Sequence, residues 1–379
     1  MIEEDSSNRN TKSGKQEIVA LTEDGYNLAA RLLSNTFGGE QSFWLERFQH
    51  WWDANPNFKD YMTRAFVVYA PPEGLNESAD NECIAFLGSI PLLYRDSSEK
   101  LLDARAATSF AISPKHRNVS LAFSLANEFL SQSEAKLFFC TGATKESYEL
   151  WKALGLSENN SSWTKQQVLI PTNLESFFSH AARKLYPLNR LVGLGIKPLS
   201  SLRLRFVSSL KKIEVSKEVA FQKSDESLLL SCKPSGGIVV QNDATQLNWS
   251  YFGSKYLQST RTLLVARNKE KELLGFLVFR EFELSKSVNA CSLIDIVSIS
   301  DNKELIQKSL LAAMVEESAR KGIAYCVIRP HTELLEGLIS PYLKMTQTER
   351  PSLYAYKNLC EADDDELNFR PCDGDLLFL

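Results

Sequence analysis

The sequence lacks any apolar run of the roughly 18 residues that a helix needs to cross a bilayer, so no transmembrane segment is expected. Its 7 cysteines include no CxxC pair, and with only 4 histidines no Cys/His spacing suits zinc, so no metal is expected. Charge of one sign is missing too. Lys+Arg total 43 against 47 Asp+Glu, a net charge of −4, and no global field draws the whole molecule onto DNA. The opening MIEEDSSNRNTKSGKQEIVA is polar and has no signal-peptide core, which points to a cytoplasmic protein. Cys140 in KLFFCT and Cys326 in AYCVI sit in apolar runs, where a thiol packs as a small hydrophobe.

What is present is an ordinary globular composition, 44% hydrophobic and 24% charged, over 379 residues. That length suits two domains. Residues 1–17 read as a disordered tail. Apolar periodicity then predicts helices over 26–35 and 43–52 and strands over 64–70, 83–93 and 101–113. An amphipathic helix follows over 119–132, a strand over 136–141, and a short helix over 145–154 that stops at Gly155. The second half repeats this order. Helical segments at 220–232 and 243–256 precede strands over 262–266, 273–282 and 290–300. A helix over 303–320, a strand over 323–329, a helix over 333–339 and a closing strand over 353–357 complete it. Between the halves, residues 183–217 hold nine Lys/Arg and one Glu. That stretch reads as a basic connector; contact with RNA or an anionic surface is the alternative. The division expected is therefore 18–170, a linker over 171–220, and 221–379.

Three segments carry chemistry. Strand AFLGSIPLLY holds Gly88, and the next strand ends FAISP (Phe110, Ala111, Ile112, Ser113, Pro114). It runs into KHRNVSLAFSLANEFL, where Arg117, Asn118, Val119, Ser120, Leu121 and Ala122 open the amphipathic helix. The first backbone N–H groups of a helix lack partners and carry partial positive charge, so they suit a diphosphate. Lys115, His116 and Arg117 add cationic donors. The bland alternative is an ordinary helix capped by Asn118. The third segment is TGATKESYELWKALGL, residues 141–156.

Element order and these segments resemble the GCN5-related N-acetyltransferase (GNAT) superfamily. Its signature at the long helix is Arg or Gln, two residues, Gly, one residue, Gly or Ala. Arg117 and Ala122 match it, and Ser120 stands where the middle glycine is usual. The resemblance implies an α/β (α+β) fold of two tandem acyl-CoA N-acyltransferase-like domains, each a mixed, mostly antiparallel sheet flanked by helices. It implies acetyl-CoA or another acyl-CoA as co-substrate, with pantetheine along Phe110–Ile112 and the diphosphate on residues 117–122. Thr144 stands at the family's usual Asn, and Trp151 at the Tyr that often protonates the leaving thiolate. An indole cannot give up that proton. Tyr148, one helical turn earlier, is then the candidate acid, and its alternative is packing. Asp103 is a candidate general base, or else a turn residue at a strand start.

The C-terminal half matches the order but not the cofactor signature: DNKE, with Asp301 and Glu304, reads as a capping box that fills the helix start. Asp295 inside LIDIV is either a charge on an exposed strand face or a costly buried carboxylate suited to base chemistry. LNWSYFGSKY is similar to an "LNWRY" stretch of tandem acetyltransferase-like proteins encoded with polysaccharide genes, and CDGD at 372–375 to their "DSD" ending. The resemblance thus implies an acyl-CoA-dependent N-acyltransferase of the acetyl type, acting on a small-molecule amine acceptor such as an amino-sugar. An inactive acyltransferase-like scaffold and an aminoacyl or peptidyl transferase are the alternatives.

Overall fold

The protein is described by a computed structural model. It covers residues 17–71, 81–96, 98–158, 166–173, 207–231, 239–285, 288–299, 302–329, 333–340, 342, 344–348 and 353–359. The basic stretch lies outside these residues up to 206, as do the tail at 1–16, Asp301 and the CDGD segment.

The strands are β1 Ile18–Ala20, β2 Ala65–Ala70, β3 Glu82–Arg95, β4 Leu101–Ile112, β5 Leu137–Ala143, β6 Ser157–Glu158, β7 Gln166–Pro171 and β8 Val215–Glu218. They continue with β9 Val239–Val240, β10 Arg261–Arg267, β11 Leu273–Ser285, β12 Val288–Ser298, β13 Tyr325–Ile328, β14 Met345–Thr348 and β15 Leu353–Asn358. The helices are α1 Tyr26–Phe37, α2 Gln41–Phe48, α3 Val119–Leu130, α4 Lys145–Ala153, α5 Glu226–Ser231, α6 Ala244–Phe252, α7 Lys255–Thr260, α8 Lys303–Arg320 and α9 Glu333–Ile339.

One sheet is 8-stranded in the order β1-β2-β3-β4-β5-β15-β6, with β9 on β3; the other is 7-stranded in the order β14-β7-β13-β12-β11-β10-β8. This is the mixed, mostly antiparallel pair of sheets that the sequence predicts. Only β4–β5 and β12–β13 are parallel among the described ladders. Strand membership departs from sequence order. β7, for which no strand is predicted and which falls at the expected end of the N-terminal half, pairs with β13 and β14 in the second sheet. β15, expected to close the C-terminal half, pairs with β5 and β6 in the first.

By internal contacts the chain forms two compact units. The first holds the described residues of Met1–Leu45, Thr63–Ser89 and Ser109–Ser131; the second holds those of Glu46–Met62, Ile90–Thr108 and Gln132–Leu379. In the first, α1 buries Tyr26, Ala29, Ala30, Leu32 and Leu33 and ends at Gly38, whose φ of 82° only glycine adopts cheaply. There too, α3 buries Leu121, Leu125, Ala126 and Phe129, a 3.6-residue stripe.

In the second unit, α8 lays Ile306, Leu310, Leu311, Met314 and Val315 on a core made with Leu277, Phe279, Cys291, Leu293, Cys326 and Ile328. Its start differs from the capping box expected of Asp301: Asn302 is the N-cap, with no side-chain cap bond. The helix predicted over 43–52 divides as well. After Phe48 it widens into a π-helical segment, Gln49–Asp53, closed by Ala54 N–H donating to Gln49 O at 2.8 Å. That wider turn buries His50, Trp51 and Trp52 in succession. The helix predicted over 243–256 breaks at Gly253 and restarts at Ser254, whose Oγ accepts from Leu257 N–H at 3.2 Å. A Cβ on Gly253 would stand 2.5 Å from Trp249 O and 2.8 Å from His50 Nδ1, so the break sits where no side chain fits.

Gly275 of β11 is as confined: a Cβ there would meet Val297 O at 2.5 Å and Ile306 Cγ2 at 2.8 Å. Gly275→Ala is expected to destabilise the second unit by about 1–3 kcal/mol through overpacking. Gly337→Ala in α9, where a Cβ meets nothing within 4 Å, should be neutral or stabilise by up to about 1 kcal/mol. Urea midpoints of the two variants check this, and equal midpoints would contradict it.

Candidate functional site

The first unit carries the loop that the sequence singles out. Ser109 in β4 has φ 51°, a left-handed conformation that is uncommon for a residue with a side chain. The parallel ladder of β4 with β5 ends at Ala107↔Cys140, just before it. Beyond Ser109, Phe110 is half-buried, and Ala111 and Ile112 are buried. Ser113 N–H then donates to Ile84 O at 2.8 Å, and His116 N–H to Ser113 O at 2.9 Å, closing the turn Pro114–His116.

Asn118 is extended, at φ −144° and ψ 154°, and caps α3: its Oδ1 accepts from Leu121 N–H at 2.7 Å. Its Nδ2 donates to His116 O at 3.1 Å, and its carbonyl accepts from Ala122 N–H at 3.3 Å. The bland alternative for Asn118 is therefore realised, and the amides of Leu121 and Ala122 are already engaged. Val119 and Ser120 differ. Their N–H groups have no acceptor among the described residues, and residues 117–120 are all exposed. Two unpaired amides thus stand at the positive end of a 12-residue helix, with Arg117 beside them in sequence, an arrangement whose chemistry suits an anion.

The remaining candidates lie in the second unit. Thr144 caps α4, its Oγ1 accepting from Ser147 N–H at 3.3 Å. Tyr148 and Trp151 are both buried on that helix, and Lys152 Nζ lies 5.5 Å from the Tyr148 ring centroid. Asp103 is not a turn residue: it is half-buried inside β4, and its carbonyl accepts from Lys136 N–H at 2.8 Å. Asp295 is not on an exposed face: it is 3% exposed, and Oδ2 accepts from Tyr251 O–H at 2.6 Å while Oδ1 accepts from Ile296 N–H at 2.8 Å. A buried carboxylate with charge-assisted partners is the arrangement that offsets its desolvation.

Burial pushes the Cys83 and Cys140 thiols up to about 12, so neither is a thiolate at neutral pH. Among the described residues no cluster of three His, Cys, Asp or Glu could hold a metal ion, and no helix is long and apolar enough to cross a membrane.

Sequence reasoning missed the cluster around His50. This ring stacks on Trp249 at 5.0 Å and 12°, and Trp249 Nε1–H donates to His50 O at 2.7 Å. Arg261, buried, donates from Nη1 to Ser250 O at 3.0 Å and Tyr251 O at 3.3 Å. Nearby contacts tie the same segments: Asn57 Nδ2 donates to Gln246 Oε1 at 2.6 Å, and Tyr256 N–H to Glu46 Oε1 at 2.9 Å. The available signal was aromatic density, FQHWW facing LNWSYF.

Burial, then the charge of Arg261, lowers His50 from 6.5 to about 3. An unfolded chain takes up that proton near the ordinary value of about 6.5, and the folded one does not. The unfolded state therefore binds more protons below that value, and stability falls as pH drops toward about 3. The expected slope from this group is about 1.4 kcal/mol per pH unit. His50→Gln should flatten the decline in urea-unfolding free energy between pH 6 and pH 4 by up to that amount. Identical slopes in the two proteins would contradict it.

No protein-family model matches the sequence, and no curated protein matches it. Solved structures do. A GCN5-related N-acetyltransferase from Anabaena variabilis aligns at TM-score 0.55 and 10% identity, over 91% of this chain and 73% of its own. Saccharomyces cerevisiae N-myristoyltransferase with bound myristoyl-CoA aligns at TM-score 0.55 and 10% identity, over 91% of this chain and 79% of its own. With two mixed sheets, each holding one parallel pair, the chain has a GNAT-like fold.

Proposed function

We propose that the chain is an acyl-CoA-dependent N-acyltransferase, with acetyl-CoA the simplest donor and a small-molecule amine the acceptor. The observation that carries this is the pair of unengaged amides, Val119 and Ser120, beside Arg117 at the start of α3. Within a GNAT-like fold that position suits the donor's diphosphate, as helix N-termini generally suit phosphate. The irregular end of β4, residues 110–112, would pair with the pantetheine. Transfer would then rely on positioning and on a strand N–H polarising the thioester carbonyl. No titrating role is required of Tyr148, Asp103 or Asp295, and Thr144 acts as a helix cap.

An amino-sugar acceptor rests on the similarity of LNWSYFGSKY to polysaccharide-linked proteins. In this chain Leu247, Trp249, Tyr251 and Phe252 of that stretch are buried packing residues, so they support the fold and leave the acceptor class to assay. A non-catalytic binding module is the second reading, favoured by two observations. The Cβ of Ser120 narrows the approach to the amides, and buried Trp151 replaces a proton donor. CoA release with a panel of amines separates the two, since sustained turnover excludes the inactive module.

Titration calorimetry tests the loop. Acetyl-CoA should bind at sub-millimolar concentration, Arg117→Glu should weaken it at least tenfold, and Ser120→Gly should keep or tighten it. No binding heat, or equal affinity in Arg117→Glu, would refute the assigned loop.

A further inference from the structure

The second sheet presents a cation that the acyl-transfer proposal does not use. In the β10–β11–β12–β13 ladders, Arg261 stands opposite Arg280, Arg280 opposite Ser292, and Ser292 opposite Val327. Residues directly opposed share a face of a sheet. The alternate positions Leu277, Phe279, Cys291, Cys326 and Ile328 form the apolar core under α8, so Arg280 stands on the face away from that helix. Arg329 follows Val327 by two residues, just past the end of β13. The parallel ladder stops at Ser292↔Val327, and the β11–β12 register shifts between Val278 and Phe279, where Ile294 is the extra residue. β12 and β13 therefore cease to pair where Arg329 begins.

Arg261 is spent on the Ser250 and Tyr251 carbonyls. Arg280 is not. It is half-buried, and no carboxylate pairs with it among the described residues. Its Nε is shut off from solvent with no acceptor. Its guanidinium lies 5.5 Å from the Phe282 ring centroid. The groups it feels are the Tyr256 phenol and a second cation, Arg329. Burial, and after it the like charge of Arg329, lowers its proton affinity, while Tyr256 raises it.

Half-buried guanidinium groups in native proteins are normally matched by an acid. Arg280, which has no acid among the described residues and feels the like charge of Arg329, is electrostatically incomplete until an anion joins it. The planar fork of arginine matches the paired oxygens of phosphate and carboxylate. We infer that Arg280, with Arg329 and Tyr256 beside it, forms a binding site for the oxyanion, phosphate or carboxylate, of a small molecule. The site is built wholly within the second unit and does not depend on the acyl-transfer proposal.

The test uses the full chain and two probes, inorganic phosphate and acetate, each titrated at ionic strength matched with chloride. Binding is read from the melting temperature and by calorimetry. At least one probe should raise the melting temperature saturably, and the active probe identifies the ligand class. Arg280→Gln should weaken that probe at least tenfold and Arg329→Gln severalfold. Arg117→Glu should change it less than twofold, which separates this site from the loop at α3. Should Arg280→Gln fail to fold, Arg280→Lys, which keeps the charge and loses the fork, and Arg329→Gln carry the test. No response to either probe in the unaltered protein would overturn the site, as would unchanged affinity in the folded Arg280 and Arg329 variants.

Discussion

The exchange of two strands is the constraint on which the second unit depends. A strand that parts from its parallel neighbour leaves a row of backbone N–H and C=O groups that must find partners elsewhere. β5 is paired with β4 only from Leu137 to Cys140, and β15 covers its other edge from Leu137 to Ala143. β13 is paired with β12 only from Tyr325 to Val327, and β7 covers its other edge throughout. In each case the covering strand comes from the other half of the sequence. Each sheet can thus diverge at one side without leaving a raw edge, at the cost that neither half closes its sheet alone.

The hydrogen bonds already made decide what each helix start and strand end is able to do. At α3 the Asn118 side chain and carbonyl take up two of the first amides, and Val119 and Ser120 remain. In the second sheet, α8 begins at Asn302 with no side-chain cap, while Arg280 stands within β11 and Arg329 just past β13. The halves share architecture but differ in chemistry. One offers two amides and an exposed arginine, the other a half-buried Arg280 with no acid partner among the described residues.

Much of the fold was legible because its signals are local. The boundaries of α4, α8 and α9 follow from periodicity and punctuation such as Gly155, whose φ is 84°. Strand exchange was not legible, since β7 and β15 carry no mark of which sheet they join; that is settled by non-local pairing. The burial of Asp295 was also hidden, because its partner Tyr251 lies 44 residues away in sequence. The candidate loop at 117–122 was visible from residue types, but only the Asn118 geometry shows which of its amides are still available.

Donor binding at α3 depends most heavily on those amides, and hydrogen exchange reads them directly. Backbone exchange across residues 117–122 should slow markedly at Val119 and Ser120 when acetyl-CoA is added to saturation, with little change at Leu121 and Ala122, which are already bonded. Unchanged exchange at Val119 and Ser120 under saturating cofactor would contradict it.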